Sequence, residues 1–432
     1  MTSEQIQYSA EDVIHLHRLR TVLERELEEV GLAQVAQLEM DLLPAVVDME
    51  ASGFAVDRGR LETLLADSER AARVAETETK ALFINPTINL NSPVQLVTAL
   101  AGIGIEVEDT KAETLATLDT PAIKPLVRFR EAEKQAQLLR KLLAAIETDG
   151  RIHARFNPTG TATGRFSSSA PNLQNVSRGP TRSCFIARPG YRLVVADYSQ
   201  IELRAAAVLA GETKMLEAFQ QGEDLHLKTA ELVLGRKATA QDRQLAKAVN
   251  FGLLYGQNAE GLARYAGKSY GVPLSPEEAL NIRRKFFSGY EGLERWHKAA
   301  WTAAAGDAYQ TRTRLGRRRL LADAGDQKWK RFTTLVNTPV QGGCADGIKL
   351  AMVKLSRQLP TEAKLISCVH DELIVETTEV TAEDVMKLVT ETMVFEMQSL
   401  FPDVPIEVEA RICTNWGGKG DRNPERQKRG TQ

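Results

Sequence analysis

Two short apolar runs, each leading into acidic side chains, constrain the fold more than any other feature of the chain. Residues 193–196 (LVVA) lead into Asp197, and residues 366–369 (ISCV) are followed by His370, Asp371 and Glu372. Such runs are typical of buried strands, and an acid just past a strand can be held rigidly against a divalent cation. The clusters thus resemble two halves of one metal site. Taken singly, each acid is better explained as a turn cap. The residues between the two clusters must therefore distinguish a shared metal site from two unrelated caps.

Length and composition exclude several classes of protein. The 432 residues, 43% of them hydrophobic, suffice for two or three domains with buried cores. No apolar run is long enough to span a membrane, and the N-terminus lacks a secretion-signal pattern. Cys184, Cys344, Cys368 and Cys413 form no CxxC pair, which argues against a zinc site or a disulfide framework. We therefore predict a cytoplasmic protein without a membrane partner, in a bacterium or, for a viral source, in its host.

Charge is distributed unevenly along the chain. The net charge is only −2, but residues 1–62 hold thirteen acids and five arginines, whereas residues 312–331 hold eight bases and two acids. The basic stretch favours contact with phosphate groups. Taken alone, it is explained equally well as a solvated helix face or a hairpin.

Helical periodicity dominates the first third of the chain. Apolar residues at helical spacing from Val13 to Leu27 predict a helix that stops at Gly31. The Asn and Pro residues of 85–93 predict a loop between helices, and a further helix is predicted over about 122–147. Residues 63–150 are therefore predicted to form a mostly helical unit.

Two segments between the acidic clusters have a composition suited to nucleic acid and nucleotides. Residues 161–175 gather Asn, Gln, Ser and Thr around Arg165, and such side chains can reach acceptors in a minor groove. A loop satisfying its own backbone is the better explanation of that segment alone. Arg243, Lys247, Phe251 and Tyr255 lie four residues apart on one predicted helix face. The two cations match the triphosphate of a nucleotide, and the two rings that follow match its base. The alternative is an ordinary amphipathic helix whose aromatic rings face the core.

Together these segments resemble the motifs of the bacterial and phage DNA polymerase I family (family A). Residues 197–204 (DYSQIELR) are similar to motif A, residues 243–256 to motif B and residues 369–372 (VHDE) to motif C. Residues 161–175 resemble the segment before motif A, and residues 337–342 (NTPVQG) resemble the segment before motif C. The similarity is to the polymerase region and extends over roughly residues 8–416.

The resemblance implies an α+β chain with the right-hand polymerase fold, which has an antiparallel-sheet palm, a helical thumb and helical fingers. Tyr8 and Asp12 resemble exonuclease residues, but complete exonuclease domains are not expected, so we predict no proofreading. The expected domains are an exonuclease-like remnant (1–38), a lead-in to palm and thumb (39–62), the thumb (63–150), the first part of the palm (151–211), the fingers (212–336) and the second part of the palm (337–432).

The implied activity is template-directed DNA synthesis, in which deoxynucleoside triphosphates are added to a primer 3′-hydroxyl with two divalent metal ions, Mg²⁺ or alternatively Mn²⁺. Asp197, Asp371 and the backbone carbonyl of Tyr198 would bind the metals. Asp197, Asp371, Glu372 and Lys247 would be the catalytic residues, with Glu372 supporting the site rather than binding tightly.

Further roles follow from motif positions in the resemblance. Glu202 matches the family's steric gate against a 2′-hydroxyl, Phe251 the position that discriminates against dideoxynucleotides, and Tyr255 the place where the template base enters. Thr333 stands where the family usually has an arginine, and Arg331 is a candidate substitute. The expected nucleotide-binding residues are Arg243, Lys247, Phe251, Tyr255, Glu202, His226 and Gln200. The expected DNA-binding residues are Arg165, Asn172, Gln174, Asn337, Gln341 and His370.

The expected partners are primer–template DNA and deoxynucleoside triphosphates, bound by a monomer. A single-subunit RNA polymerase is one alternative, which Glu202 argues against. A catalytically inactive DNA-binding scaffold is another, and it would have no need for both aspartates, Lys247 and Glu202. Reverse transcription as a side activity stays open.

Overall fold

The structure, a computed structural model, describes residues 2–111, 114–115, 118, 120–121 and 123–418. Its first helices differ sharply in burial. The first two have no buried residue, whereas the third buries Leu38, Leu42 and Met49 in the main core. The predicted stop at Gly31 is confirmed, since the chain turns there with a φ of 66°. These helices are α1 (Ser3–Ile14), α2 (Leu16–Glu29) and α3 (Ala33–Ser52).

A helical unit with its own small core follows. Asp57 caps the first of its long helices by accepting a hydrogen bond from the backbone of Arg60 at 2.9 Å. The predicted loop over 85–93 is confirmed and separates two helices, the second of which is capped by Ser92. Leu96, Leu100 and Leu126 are fully buried in this core. The helices are α4 (Arg58–Leu82), α5 (Pro93–Gly102) and α6 (Ile123–Ala144).

The main sheet is antiparallel and has four strands in the order β10-β5-β9-β8. Residues 193–196 of β5 are fully buried, because elements cover the strand on both faces; this accounts for a continuous apolar run rather than an alternating one. The strands are β1 (Phe54–Ala55), β2 (Arg151–Ile152), β3 (Arg155–Asn157), β4 (Ser167–Ser169), β5 (Tyr191–Tyr198), β6 (Gln310–Arg312), β7 (Arg318–Leu320), β8 (Lys364–Val369), β9 (Glu372–Thr378) and β10 (Val408–Cys413).

Outside the main sheet, short two-stranded ladders pair β1 with β2, β3 with β4 and β6 with β7. The basic stretch 312–331 is the β6–β7 hairpin followed by the start of a helix. One face of the main sheet is packed by α16, defined below, which contacts β5 and β10.

Most helices of the second half lie between β5 and β8 in the sequence. A π-helical turn, Thr338–Gly342, joins two of them. None of the helices in the described part of the chain combines the length and apolar character needed to cross a lipid bilayer. The helices are α7 (Ile201–Ala210), α8 (Thr213–Gln220), α9 (Leu225–Leu234), α10 (Asp242–Leu254), α11 (Ala259–Tyr270), α12 (Pro276–Gly289), α13 (Glu291–Ala305), α14 (Lys328–Asn337), α15 (Gly343–Gln358) and α16 (Ala382–Leu400).

Candidate active site

The two acidic clusters meet at one end of the main sheet. Asp197 is the penultimate residue of β5 and lies opposite Glu372, the first residue of β9. Asp371 occupies the tight turn between β8 and β9, next to His370, whose φ is 58°. The backbone N–H of Tyr198 donates to the carbonyl of Asp371 at 3.3 Å. The antiparallel pairing of β5 with β9 therefore brings together acids that are distant in the sequence.

Burial disfavours the charged form of both aspartates. Desolvation, and then the charges of Asp371 and Glu372, raise the pKa of Asp197 to about 7. Desolvation also raises the pKa of Asp371. Arg178 places a guanidinium nitrogen 3.2 Å from Asp197 Oδ2, but its side chain is 81% exposed. Arg411 also lowers the pKa of Asp197, and Arg165 lowers that of Asp371, so these arginines offset only part of the effect of burial.

Glu372 has a different environment, because its carboxylate is buried among donors. The indole Nε1–H of Trp416 donates to Oε1 at 2.7 Å, and Arg182 donates to the same oxygen at 3.1 Å. Arg411 lies 3.6 Å from Oε2, and the Arg182 guanidinium stacks on the Trp416 ring. These contacts suit a supporting residue. Arg182 and Trp416 lie outside the motifs predicted from the sequence, and no local pattern marks them, since their role depends on a partner far along the chain.

Glu202 lies in the first turn of α7 and receives two donors. Arg165 donates to Oε1, and the Tyr255 hydroxyl donates to Oε2. Gln200 precedes the helix with a φ of 54°, and its Oε1 is buried without a hydrogen-bond partner within the described residues. Arg165 also lines a cavity of about 20 Å³, which is large enough for one water molecule. The other residues that line it include Gln174, Tyr198, His370 and Asp371.

The other candidate DNA-binding residues are only partly free. Asn172 accepts from the backbone of Gln174 at 3.0 Å, and the Gln174 amide donates to the Phe166 carbonyl at 2.9 Å. These bonds agree with the alternative of a loop that satisfies its own backbone. Asn337 ends α14, and its buried Oδ1 has no hydrogen-bond partner among the described residues. Gln341 lies on the π-helical turn next to Tyr255.

The predicted face of α10 is present, with cations at one end and rings at the other. Arg243 donates through Nε to Asp224 at 2.6 Å, and Asp224 caps α9. Burial, and then the positive charge of Arg243, lower the pKa of Lys247. Phe251 is partly buried, and its ring centroid is 6.0 Å from that of the buried His226. Tyr255 caps the helix rather than lying within it.

Arg331 does not project freely beside Thr333. Its guanidinium donates to the carbonyl of Ala308 at 2.6 Å, and the Thr333 hydroxyl donates to the carbonyl of Lys330 at 2.9 Å. Arg331 thus binds the loop before β6. The role of a substitute for the family's arginine stays a prediction.

The predicted metal ligands are few. No group of three or more His, Cys, Asp and Glu side chains is arranged as a metal cage in the residues that the structure describes. The predicted set consists instead of two aspartates and a backbone carbonyl. The Tyr198 side chain is unavailable for coordination, because its hydroxyl donates to the buried Met393 carbonyl at 2.7 Å.

Known proteins are similar to the chain over most of its length. The model of the family "DNA polymerase family A" matches residues 60–418. DNA polymerase I of Aquifex aeolicus is 34% identical over 451 residues, covering 96% of this chain and 76% of that protein. The thermostable DNA polymerase I of Thermus aquaticus is 36% identical over 421 residues, covering 90% of this chain and 49% of that protein. The chain thus spans about half the length of the Thermus relatives.

A solved structure is similar over most of the chain. It is the POL domain of Pol1 from M. smegmatis in complex with a DNA primer-template and dNTP. The TM-score is 0.84 and the sequence identity 31%, and the match covers 91% of this chain and 73% of that one.

Proposed function

The chain belongs to DNA polymerase family A, and from this membership we propose that it catalyses template-directed DNA synthesis on a primer 3′-hydroxyl. The family and the α+β polymerase fold that the sequence predicted are confirmed. One observation carries the proposal. The antiparallel pairing of β5 with β9 brings Asp197 and Asp371 together at one end of the sheet. The positive charge of Arg178 also lowers the pKa values of both Asp197 and Lys247.

The acidic pair fits divalent cations. Carboxylate oxygens are ligands that Mg²⁺ prefers, and the raised pKa values of Asp197 and Asp371 reflect desolvated, mutually repelling charge that a cation would relieve. Asp197, Asp371 and the backbone carbonyl of Tyr198 would hold the ions. When bound, two such ions would lower the pKa of the primer hydroxyl and neutralise triphosphate charge.

The cations of α10 suit the triphosphate. Arg243 is oriented by Asp224, and Lys247 is partly buried beside it. Because burial lowers its pKa, Lys247 gives up a proton more readily, which suits donation to the leaving pyrophosphate. Glu202 would lie beneath the sugar and exclude a 2′-hydroxyl, which favours deoxynucleotides over the ribonucleotides of an RNA polymerase.

We further propose synthesis without excision. Tyr8 and Asp12 lie on α1, a helix with no buried residue, and this does not suit an enclosed nuclease site. The domain boundaries given above are proposed for this chain, as are its partners, primer–template DNA and deoxynucleoside triphosphates. The monomeric state and the cytoplasmic location stay predictions.

The test is extension of a labelled primer with magnesium by Asp197→Asn and Asp371→Asn variants. Because each change removes a metal-binding charge but keeps the side-chain shape, we expect the rate to fall by about 1,000-fold or more, with DNA affinity retained. Asp403→Asn, at an exposed position, is the matched control. Extension by Asp197→Asn within tenfold of the parent protein would refute the metal site.

Two additions to the assay separate the alternatives. Ribonucleotides offered in place of deoxynucleotides should be incorporated poorly, whereas an RNA polymerase would prefer them. An inactive scaffold would bind the primer–template without extending it. A mismatched primer terminus should not be excised, and its removal would contradict the absence of proofreading.

A further inference from the structure

Four buried side chains form a chain of hydrogen bonds behind the cationic end of α10. The hydroxyl groups of Tyr290 and Thr229 are 2.9 Å apart. Thr229 Oγ1 lies 3.0 Å from Asn250 Oδ1, and Asn250 Nδ2 lies 2.9 Å from His226 Nδ1. All four residues are at most 4% exposed. The chain therefore connects α13's N-cap residue, Tyr290, to the one histidine assigned to the nucleotide site.

The direction of these bonds follows from the group at the far end. Within the described residues, Thr229 is the one hydrogen-bond partner found for the Tyr290 hydroxyl, so Tyr290 must donate or bury an unsatisfied O–H. Thr229 then accepts from Tyr290 and donates its own hydrogen to Asn250 Oδ1. The amide nitrogen of Asn250 consequently faces His226. Because an amide nitrogen can only donate, His226 Nδ1 must accept, and the imidazole hydrogen must be on Nε2.

Burial and the neighbouring positive charges keep the His226 imidazole neutral. Desolvation, followed by the positive charge of Arg243, lowers its pKa to about 4; Lys247 acts in the same direction and Asp224 opposes it. The Phe251 ring packs against it without adding charge. At neutral pH the imidazole therefore carries one N–H, and the hydrogen-bond chain decides which nitrogen holds it.

We propose that Asn250 is a positioning residue that fixes His226 in the Nε2–H tautomer, so that His226 offers a neutral N–H donor to a nucleotide triphosphate. This inference rests on the proposed function, which places His226 at the phosphates. A neutral donor adds a hydrogen bond without adding a third positive charge beside Arg243 and Lys247. The free protein therefore presents this N–H donor throughout the neutral pH range.

The tautomer can be measured without nucleotide or DNA. The chain has six histidines, so selective ¹⁵N-histidine labelling gives few signals, and the His226→Gln variant assigns the one of interest. We expect the parent protein to show a protonated Nε2 and an unprotonated Nδ1 from pH 8 down to about 5.5. A protonated Nδ1 at pH 7, as the other tautomer or as imidazolium, would overturn the proposal.

The Asn250→Asp variant tests the consequence for nucleotide binding. A carboxylate can only accept, so it should draw the hydrogen to Nδ1 and leave the Nε2 lone pair facing the phosphates. We expect KM for the deoxynucleotide to rise about tenfold at pH 8.5, with a smaller effect on kcat. KM should recover at lower pH, because the carboxylate raises the imidazole pKa and imidazolium again has an Nε2–H. A KM with the parent protein's pH dependence would contradict the proposal.

Two further variants isolate the hydrogen-bond chain from folding and from catalysis. Tyr290→Phe removes the hydroxyl hydrogen that sets the direction of the hydrogen bonds, so the Nδ1–H tautomer of His226 should become populated. An unchanged spectrum would overturn the proposal, even where Asn250→Asp does not fold. In a His226→Gln background, Asn250→Asp should add no further rise in KM, and a full additional rise would refute action through His226.

An Nε2–H spectrum from a protein that extends no primer would leave the tautomer assignment standing and refute the polymerase proposal.

Discussion

The hydroxyl group of Tyr255 donates a hydrogen bond to the Glu202 carboxylate, which joins the C-terminal end of α10 to the first turn of α7. Arg165 donates to the second oxygen of the same carboxylate. Three segments of the chain therefore fix one acidic side chain, which is only 14% exposed. A group held in this way is suited to sterically restricting a nearby sugar.

Removing the Glu202 side chain should relax discrimination against ribonucleotides. We expect Glu202→Ala to lower the ratio of kcat/KM for deoxynucleotides over ribonucleotides by about 10- to 100-fold, because space opens beneath the sugar. Tyr255→Phe keeps the ring and loses one hydrogen bond, so its effect should be about fivefold. Single-nucleotide incorporation measures both. Glu217→Ala, on the exposed face of α8, is the control, and equal ratios for Glu202→Ala and Glu217→Ala would contradict a gate.

Replacing Glu372 should reduce stability. The Glu372→Ala variant leaves Arg182 and the Trp416 N–H buried without their acceptor, which should cost about 3–5 kcal/mol in the free energy of unfolding. Trp416→Phe removes one neutral donor and should cost about 1 kcal/mol from its hydrogen bond. Urea unfolding measures both changes. Glu379, near the end of β9, pairs with Arg192 at a half-exposed position, and Glu379→Ala should lose about 1 kcal/mol or less. Equal losses for Glu372→Ala and Glu379→Ala would show that Glu372 is not a support.

Sequence patterns located two central strands and one helix face, because a continuous apolar run marks a strand buried on both faces and a four-residue spacing marks one face of a helix. The apolar runs before Asp197 and Asp371 became β5 and β8, and the four-residue spacing from Arg243 became one face of α10. The antiparallel pairing of β5 with β9 then brought the acids together. That pairing was implied by the family resemblance rather than by the pattern of either strand.

Side-chain partners were beyond the reach of the same patterns. Arg178 against Asp197 and Trp416 against Glu372 are contacts between segments that only the tertiary fold brings together. The packing of Gly164 is another contact that the sequence pattern does not predict. This glycine adopts a φ of 83°, and a Cβ there would come within 2.6 Å of the Arg317 side chain. A glycine in a polar loop predicts a turn, but not the arginine that packs on it.

Burial of His297 should make stability depend on pH. Its Nε2 donates to the Leu254 carbonyl at 3.0 Å, and burial lowers its pKa to about 4, against about 6.5 in an unfolded chain. The unfolded state therefore binds the proton first. Above pH 6.5 the His297 imidazole is neutral in both states and does not change the free energy of unfolding. As pH falls from 6.5 to about 4, this free energy decreases by up to about 3 kcal/mol. His226 adds a similar loss, because its pKa is lowered to the same value.

Unfolding free energies of His297→Asn, measured across this range, should decline less steeply than those of the parent protein. The amide retains a donor for the carbonyl but does not titrate. His17→Asn, at an exposed position on α2, is the matched control substitution. Parallel curves for His297→Asn and the parent protein would show that His297 is not the group responsible.

A buried ionic network joins α3 to α15, and it should contribute far more than a surface pair between the same helices. The Lys349 ammonium is fully buried, donating to Glu39 at 2.5 Å and to the Pro158 carbonyl at 2.8 Å. Arg317 also donates to Glu39, and it pairs with Asp346 at 2.7 Å. Every charge in the network thus has an opposite charge in contact, and removing one of the two cations leaves the two acids to share the other, with one negative charge unbalanced.

We expect Lys349→Met to lower the free energy of unfolding by about 3–5 kcal/mol, because Glu39 then keeps only Arg317 as a partner. Arg357 and Asp41 form the matched exposed pair between α15 and α3, 3.2 Å apart, so Arg357→Met should cost about 1 kcal/mol or less. A double-mutant cycle with Glu39→Gln should give a coupling energy above about 1 kcal/mol for the buried pair. Equal losses for Lys349→Met and Arg357→Met would mean that desolvation of the buried charges cancels their attraction, and that apolar packing alone holds α3 against α15.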